Sequence, residues 1–224
     1  MWILLLPLFI VAKDVAGEID CDINFFDQCE RPKLFEEIPR EMEVFKSLCP
    51  ELLTYTQCSR DFDMKCIEED KRRFAQPEKY AYFYAFLNEI CEDGTPLNEV
   101  LTVKLKCFNE TFSNTNCPQE TDDFLNPYRK EIPLDEFTTT HVIPERVHCL
   151  SQILLVNCIV GDITTNCGLR ALTLTLEFLN RSAFVERYCP LSYRTGLLED
   201  IDEFNLTEVQ ERWAVAELIY LDDV

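Results

Sequence analysis

Residues 45–66 read FKSLCPELLTYTQCSRDFDMKC, and residues 145–167 read ERVHCLSQILLVNCIVGDITTNC. Each stretch carries three cysteines at nearly equal spacings, and each set continues to a fourth cysteine further along the chain. The first set is Cys49, Cys58, Cys66 and Cys91, and the second is Cys149, Cys158, Cys167 and Cys189. The segment Ala85-Phe86-Leu87 precedes Cys91, and the similar Ala183-Phe184-Val185 precedes Cys189. The spacings therefore predict an internal repeat whose cysteines lie on helices.

The apolar residues of the first half repeat with a helical period. Ile38, Met42, Phe45 and Cys49 fall at i, i+4, i+7 and i+11, which is one stripe of a helix. Pro50 stands where a second helix could begin, because proline is tolerated in a first turn. The chain has only 5 glycines, and alternating runs are scarce, so a turn-rich β fold is disfavoured. We therefore expect an all-α fold, a disulfide-stapled bundle of short helices made of two pseudo-repeated halves.

The segment from Glu78 to Cys91 is apolar on nearly every side, which is typical of a central helix covered by its neighbours. Tyrosines combine an apolar ring with a polar hydroxyl, and small-molecule pockets are mostly apolar with a few polar groups. Such a stripe is more often plain core than the wall of a pocket. The candidate ligand-pocket residues are Tyr80, Phe83, Tyr84 and Phe86.

The remaining helices are predicted from residues that start or end helices and from the periodicity of apolar residues. Residues 92–96, EDGTP, end the central helix, and Leu97 to Phe108 reads as another amphipathic helix. In the second half a helix opens at Pro144, Gly161-Asp162 turns the chain, and a partner helix covers Leu169 to Leu179.

A terminal helix begins at a capping box formed by Thr207 and Gln210. Its predicted apolar stripe consists of Val209, Trp213, Ala216 and either Ile219 or Tyr220. Between the two halves, Cys117 to Ile143 is polar and carries three prolines, so we interpret it as a connector. The predicted organisation is a signal peptide at 1–17, a first half at 18–125, a connector at 126–143, and a second half with the terminal helix at 144–224.

Met1 to Ala12 is an apolar run ended by Lys13-Asp14. It is too short for a membrane span, which needs about 20 apolar residues, and it suits the apolar region of a secretory signal cleaved after Gly17. No later stretch reads as long and uncharged enough to cross a bilayer. We therefore expect a secreted, extracellular protein without a membrane span.

The chain has 12 cysteines, all downstream of this segment. An even number in a secreted chain predicts a disulfide framework. A zinc site is disfavoured because no C-x-x-C pair is present and the chain has only 2 histidines. We expect no metal and no cofactor.

The repeat suggests that equivalent cysteines pair equivalently in both halves. One scheme that satisfies this condition pairs Cys58–Cys66, Cys158–Cys167, Cys49–Cys91, Cys149–Cys189, Cys21–Cys29 and Cys107–Cys117. The sequence does not choose this scheme over crossed alternatives.

Three sequons, which begin at Asn109, Asn180 and Asn205, predict N-glycosylation in the secretory pathway. The formal net charge of -20 disfavours nucleic acid and anionic lipid as partners. The acidic clusters lack the spacing of an EF-hand loop, so we interpret them as solvated surface.

Catalytic signatures are missing from the sequence. Nucleophilic catalysis usually needs a histidine base beside its nucleophile, and the chain contains His141 and His148 only, with no G-x-S-x-G. No glycine-rich phosphate loop is present. Acidic pairs suited to glycoside hydrolysis are inevitable among so many carboxylates and carry no weight. We expect a protein that is not an enzyme.

Several cysteine-containing stretches resemble one family. They include residues 44–49 (VFKSLC), 65–69 (KCIEE), 86–94 (FLNEICEDG), 106–108 (KCF) and 157–160 (NCIV), and the likeness runs from about residue 20 to 190. In these stretches the chain resembles arthropod secreted cysteine-rich haemolymph glycoproteins of the 27 kDa haemolymph protein type. The resemblance implies an abundant helical glycoprotein of extracellular fluid with no assigned catalytic residues.

The expected function is therefore that of a secreted, acidic glycoprotein that binds an apolar small ligand or an extracellular protein partner. The alternative is a venom or salivary component that acts as an inhibitor or interaction module on a foreign protein. Insect odorant-binding proteins are a less suitable comparison, because their central C-x3-C spacing is missing here.

Overall fold

The computed structural model describes residues 19–68, 72, 77–133 and 139–220, so the predicted signal peptide lies outside the described residues. The fold is all-α, as predicted. Its α-helices are α1 (Phe25–Gln28), α2 (Met42–Cys66), α3 (Pro77–Cys91), α4 (Pro96–Asn114), α5 (Cys117–Leu125), α6 (Glu145–Cys167), α7 (Leu169–Arg181), α8 (Phe184–Tyr188), α9 (Leu191–Glu199) and α10 (Glu208–Tyr220). Short 3-10 helices cover Lys33–Phe35, Asn126–Tyr128 and Ile201–Phe204.

The two cysteine-rich stretches each form one long helix. Pro50 lies inside α2 and does not start a new helix, and Gly161-Asp162 lies inside α6 and does not turn the chain. A proline in a helix interior cannot donate a hydrogen bond to the carbonyl four residues earlier. The helix continues through Pro50 because Phe45, Cys49 and Leu52 around it are all buried against neighbouring helices.

The predicted connector is folded too. Cys117–Leu125 forms α5, in which Pro118 occupies the first turn, where a missing N–H costs nothing. A 3-10 turn follows, and an antiparallel hairpin pairs β1 (Lys130–Pro133) with β2 (Thr139–Val142) in the register Lys130↔Val142. Phe124 and Leu125 pack on the core of the second half, so the polar composition of this segment concealed a helix with one apolar edge.

The buried side chains form two cores. The first combines α2, α3 and α4 with α7 and the end of α6, and the second combines the start of α6 with α8, α9, α10 and the last 3-10 helix. Helix α6 serves both, since Ile153 lies in the second core and Ile163 in the first. Within the described residues, α6 is the one helix long and apolar enough to cross a membrane, contrary to the sequence reading. Its packing against six other helices accounts for that composition.

The terminal helix has the predicted start and a different buried face. Gln210 N donates to Thr207 Oγ1 at 3.3 Å, and Thr207 N donates to the Gln210 side chain at 3.0 Å, which confirms the capping box. Val209 and Trp213 are more than half exposed, whereas Ala214 and Leu218 are buried. The predicted stripe is wrong because α10 is apolar on two sides, and the sequence alone does not show which side meets the second core.

All 12 cysteines are paired. The bridges are Cys21–Cys66, Cys29–Cys58, Cys49–Cys91, Cys107–Cys167, Cys117–Cys158 and Cys149–Cys189. The predicted pairs Cys49–Cys91 and Cys149–Cys189 are confirmed.

The four other predicted pairs are wrong: Cys58–Cys66, Cys158–Cys167, Cys21–Cys29 and Cys107–Cys117. Cys58 and Cys66 lie on the single helix α2, eight residues and therefore about 12 Å apart along its axis, and a disulfide needs Cα atoms within about 7 Å. The same argument separates Cys158 from Cys167 on α6. The predicted pairs Cys21–Cys29 and Cys107–Cys117 do not form, because each of these cysteines is bonded to a cysteine of α2 or α6.

The bridges nevertheless follow one order in both halves. Taken as two successive sets of six, the first cysteine pairs with the fifth, the second with the fourth, and the third with the sixth. Equivalent cysteines thus have equivalent partners. The second set begins at Cys107, so the bridges from Cys107 and Cys117 cross the boundary predicted at 125. A repeat of the fold itself stays a prediction.

Candidate functional site

An apolar cavity of about 270 Å³ opens in the first core. Its walls come from the 3-10 helix at Lys33–Phe35 and from α2, α3, α4 and α7. The lining residues are Leu34, Phe35, Ile38, Phe45, Phe86, Ile90, Leu101, Leu105, Phe108, Phe112, Leu174, Thr175 and Phe178. The elements place these side chains by helical spacing, because each helix turns an i, i+4 pair such as Phe108 and Phe112 toward the same space.

The mouth of the cavity carries exposed phenylalanines. Phe35, Phe112 and Phe178 are 44%, 41% and 38% exposed, although phenylalanine is normally buried. The ring of Phe178 meets that of Phe86 edge to face at a centroid distance of 5.9 Å. The hydroxyl of Thr175 donates to the Ala171 carbonyl at 2.9 Å. The described wall therefore offers a ligand carbon surface and hardly any free hydrogen-bonding group.

One charged group lies beside this wall. The Arg181 guanidinium carbon is 5.9 Å from the Phe86 ring centroid, and its Nη1 and Nε donate to Glu89 and Glu177, each at 2.8 Å. The hydrogen bond that Arg181 donates to Glu89 is the main cause that raises the pKa of Arg181. The arginine is thus engaged by two carboxylates and holds α3 to α7 at the edge of the cavity.

Only part of the predicted pocket lies at the cavity. Phe86 lines it, and Phe83 packs beside it at 6.0 Å from Phe178. Tyr80 and Tyr84 instead stack on each other at 5.6 Å on the face of α3 that meets α2. There Arg60 lies 4.9 Å from the Tyr80 ring, and burial raises the pKa of the Tyr80 hydroxyl. These two tyrosines are packing residues.

The sequence reading missed the phenylalanines of α4 and α7. Phe108 and Phe112 stand at i, i+4, and Leu174 and Phe178 do the same on α7. That spacing was visible in the sequence. Their convergence on Phe86 was not, since it depends on how three helices pack.

The three sequons differ in accessibility. Asn109 is 1% exposed in the middle of α4, where its amide donates to the Ile38 carbonyl at 2.6 Å and accepts from Arg40 Nε at 2.8 Å. A glycan on this nitrogen is incompatible with the fold, so the prediction for Asn109 is wrong. Asn180, near the end of α7, and Asn205, in the loop before α10, are exposed.

One group of residues has the geometry of a metal site but not the chemistry. Cys117, Cys158 and Asp162 bring their ligand atoms within 4.8 Å of one another. The two sulfurs are bonded to each other at 1.99 Å and are not thiolates. Asp162 accepts a hydrogen bond from Thr115 at 2.6 Å. The cluster is explained as a disulfide with a neighbouring carboxylate. Elsewhere, exposed His148 meets Tyr188 edge to face at 5.9 Å.

The fold is an all-α, disulfide-linked bundle with an apolar cavity in its first core. Six disulfides in one small chain are typical of extracellular proteins, where thiols are oxidised. No protein-family model, curated protein or solved structure matches the chain.

Proposed function

We propose that the protein is a secreted, non-enzymatic glycoprotein of extracellular fluid that binds a small apolar molecule in the cavity of the first core. The observation that carries the proposal is the cavity itself, with carbon-lined walls and three exposed phenylalanines at its mouth. Its volume of about 270 Å³ is near the lower end of ligand pockets, which span about 300–1,000 Å³. The ligand is therefore small.

The physical basis of binding is the burial of carbon surface. Each Å² of apolar surface removed from water contributes about 25 cal/mol, and the exposed phenylalanine rings would be covered at the same time as the ligand. The bridge Cys49–Cys91 joins α2 to α3, and Cys107–Cys167 joins α4 to the end of α6. These bridges restrain three of the wall helices, so little conformational entropy is lost when the ligand enters. The haemolymph glycoproteins that the sequence resembles, together with the exposed sequons at Asn180 and Asn205, support an extracellular fluid as the setting.

The direct test is titration with a fluorescent apolar probe, 1-aminoanthracene, whose emission rises in an apolar site. Phe178→Glu places a carboxylate at the mouth, and we expect it to weaken binding by about tenfold or more, because a charge beside a dry apolar ligand loses hydration. Leu176→Glu is the matched control, since Leu176 lies on the same helix, is 49% exposed and does not line the cavity.

A second matched pair lies on α4. Phe112→Glu should weaken binding, whereas Val103→Glu, which is 73% exposed and does not line the cavity, should leave it unchanged. If the probe does not bind the wild-type protein, or if controls and mouth variants lose binding equally, the proposal is wrong. Where the probe binds as expected, native mass spectrometry of protein purified from its source identifies the natural ligand as a small mass lost on denaturation.

A further inference from the structure

A second groove, of about 290 Å³, lies between α5, α6 and α10, beside the second core. Its floor is one face of α6, where Leu154, Asn157 and Gly161 follow one another by about one turn each. A Cβ placed on Gly161 would meet no other atom within 4 Å, so the absence of a side chain leaves this part of the groove open. The groove shares no described lining residue with the apolar cavity.

The walls supply two aromatic rings. Phe124 on α5 is half-buried against the second core, and Trp213 on α10 is 56% exposed. Val209, one turn before Trp213, is 59% exposed and extends the same face. Together Val209 and Trp213 form an exposed apolar patch on a concave surface, which a ligand lying on the indole ring would cover.

The floor contains a polar group without a partner. The Asn157 amide nitrogen is buried and makes no hydrogen bond within the described structure. Because this nitrogen is closed off from solvent, a ligand in the groove does not reach it and meets other atoms of Asn157 instead. On the opposite wall, Gln210 uses its side-chain oxygen in the capping box with Thr207.

The charge of the groove is negative. Glu120 on α5 lines it, and its Oε2 lies 3.8 Å from Cys158 Sγ. That sulfur is in a disulfide and has no hydrogen to donate, so the contact does not neutralise the carboxylate. No lysine or arginine is among the described residues that line the groove. Asp162 stands next to Gly161, and the whole chain has a net charge of -20. An anion is therefore repelled from this space and a cation attracted.

We propose that the groove between α5, α6 and α10 binds a small organic ammonium ion that carries an aromatic ring. Glu120 pairs with the ammonium group, and Trp213 covers the ring or the cation with its π face. Cations are held by tryptophan faces within about 6 Å of the ring centroid, and Phe124 closes the other side. This site is independent of the apolar cavity.

The probe for the test is tyramine, which combines an ammonium group with an aromatic ring, and the measurement is isothermal titration calorimetry at low ionic strength. We expect 4-ethylphenol, which lacks the ammonium group, and 4-hydroxyphenylacetate, which is an anion, to bind at least about tenfold more weakly. Raising the salt concentration should weaken tyramine binding, because a partly exposed ion pair is screened.

Three variants separate the contacts. Glu120→Gln should weaken tyramine about tenfold, and Trp213→Leu about fivefold. Asp123→Asn is the matched charge control, because Asp123 lies on the same helix, is exposed and does not line the groove.

A fourth variant blocks the groove without loss of fold. Gly161→Leu fills the open floor and replaces glycine by a better helix former, so the protein should be at least as stable while tyramine no longer binds. Gly196→Leu on α9, where a Cβ would also meet nothing within 4 Å, should bind tyramine normally. The proposal is overturned if tyramine does not bind the wild type, if 4-ethylphenol binds equally well, or if Asp123→Asn matches Glu120→Gln.

Discussion

Replacing Cys107 and Cys167 together by alanine removes the bridge that joins α4 to the end of α6. The two cysteines are 60 residues apart in sequence, and the chain-entropy relation gives about 4 kcal/mol for closing a loop of that length. The bridge Cys117–Cys158 is still present in the variant and already closes most of this segment. The loop that Cys107–Cys167 adds therefore contains only about 20 residues, from 107 to 117 and from 158 to 167, and the same relation gives about 3 kcal/mol. We therefore expect the free energy of unfolding to fall by about 3 kcal/mol.

The matched comparison is the double variant of Cys21 and Cys66, the equivalent pair of the first set. With Cys29–Cys58 intact it closes a loop of similar length, so its entropic loss is also about 3 kcal/mol. Cys167 is buried in the first core, whereas Cys21 is exposed. The Cys107/Cys167 variant should therefore be the less stable of the two, since it also leaves space in a packed core.

The assay is equilibrium unfolding in urea of the oxidised proteins, together with non-reducing peptide mapping of the wild type. The map should contain a peptide pair joined through Cys107 and Cys167. Two results would refute the reasoning: a map that joins Cys107 to Cys117, or a loss of stability below about 1 kcal/mol in the double variant. The second contradicts the chain-entropy relation, which gives about 3 kcal/mol for a loop of about 20 residues.

Pro50→Ala should raise the stability by about 2 kcal/mol in urea unfolding, because a gain of about 3 kcal/mol in helix propensity exceeds the loss of about 1 kcal/mol from a freer unfolded chain. Asn109→Ala should lower it by about 2 kcal/mol, since the Ile38 carbonyl and Arg40 lose their buried partner, and glycopeptide mapping should find no sugar at Asn109. Burial raises the pKa of the Glu217 carboxyl, and Glu186 raises it further while Arg194 lowers it. A raised carboxyl pKa means that ionisation opposes folding as the pH rises above the ordinary value of 4.5. Glu217→Gln should therefore raise Tm at neutral pH and have no such effect below pH 4.5; an equal gain at both would contradict this.

The features that the sequence predicted correctly depend on residues close together in the chain. The capping box needs only Thr207 and Gln210, and the helix break at residues 92–96 needs a glycine in the left-handed region, which Gly94 supplies with φ 81°. Helical periodicity and an even cysteine count likewise require no knowledge of which helices meet.

The predictions that failed concern distance in space. The sequence reading broke α2 at Pro50 and α6 at Gly161, because a proline and a glycine are local signals of a break and the packing that overrides them is not local. Once each helix is continuous, Cys58 cannot reach Cys66, and the choice of disulfide partner changes with it.

The positions of the two proposed binding sites also depend on distances in space that the sequence does not specify. Of the four aromatic residues proposed for a pocket, only Phe86 lines the cavity, because α3 turns Tyr80 and Tyr84 toward α2. The groove at Trp213 was concealed by the expectation that its stripe on α10 would be buried.

The sequence by itself determined that this protein is helical, that its cysteines form bridges and that they recur in two sets, because these properties follow from spacing along one chain. The tertiary structure decided which cysteines meet, which face of α10 is covered and where open space remains. Those outcomes depend on how several helices fill volume together, and a spacing along the chain does not specify a distance across the core.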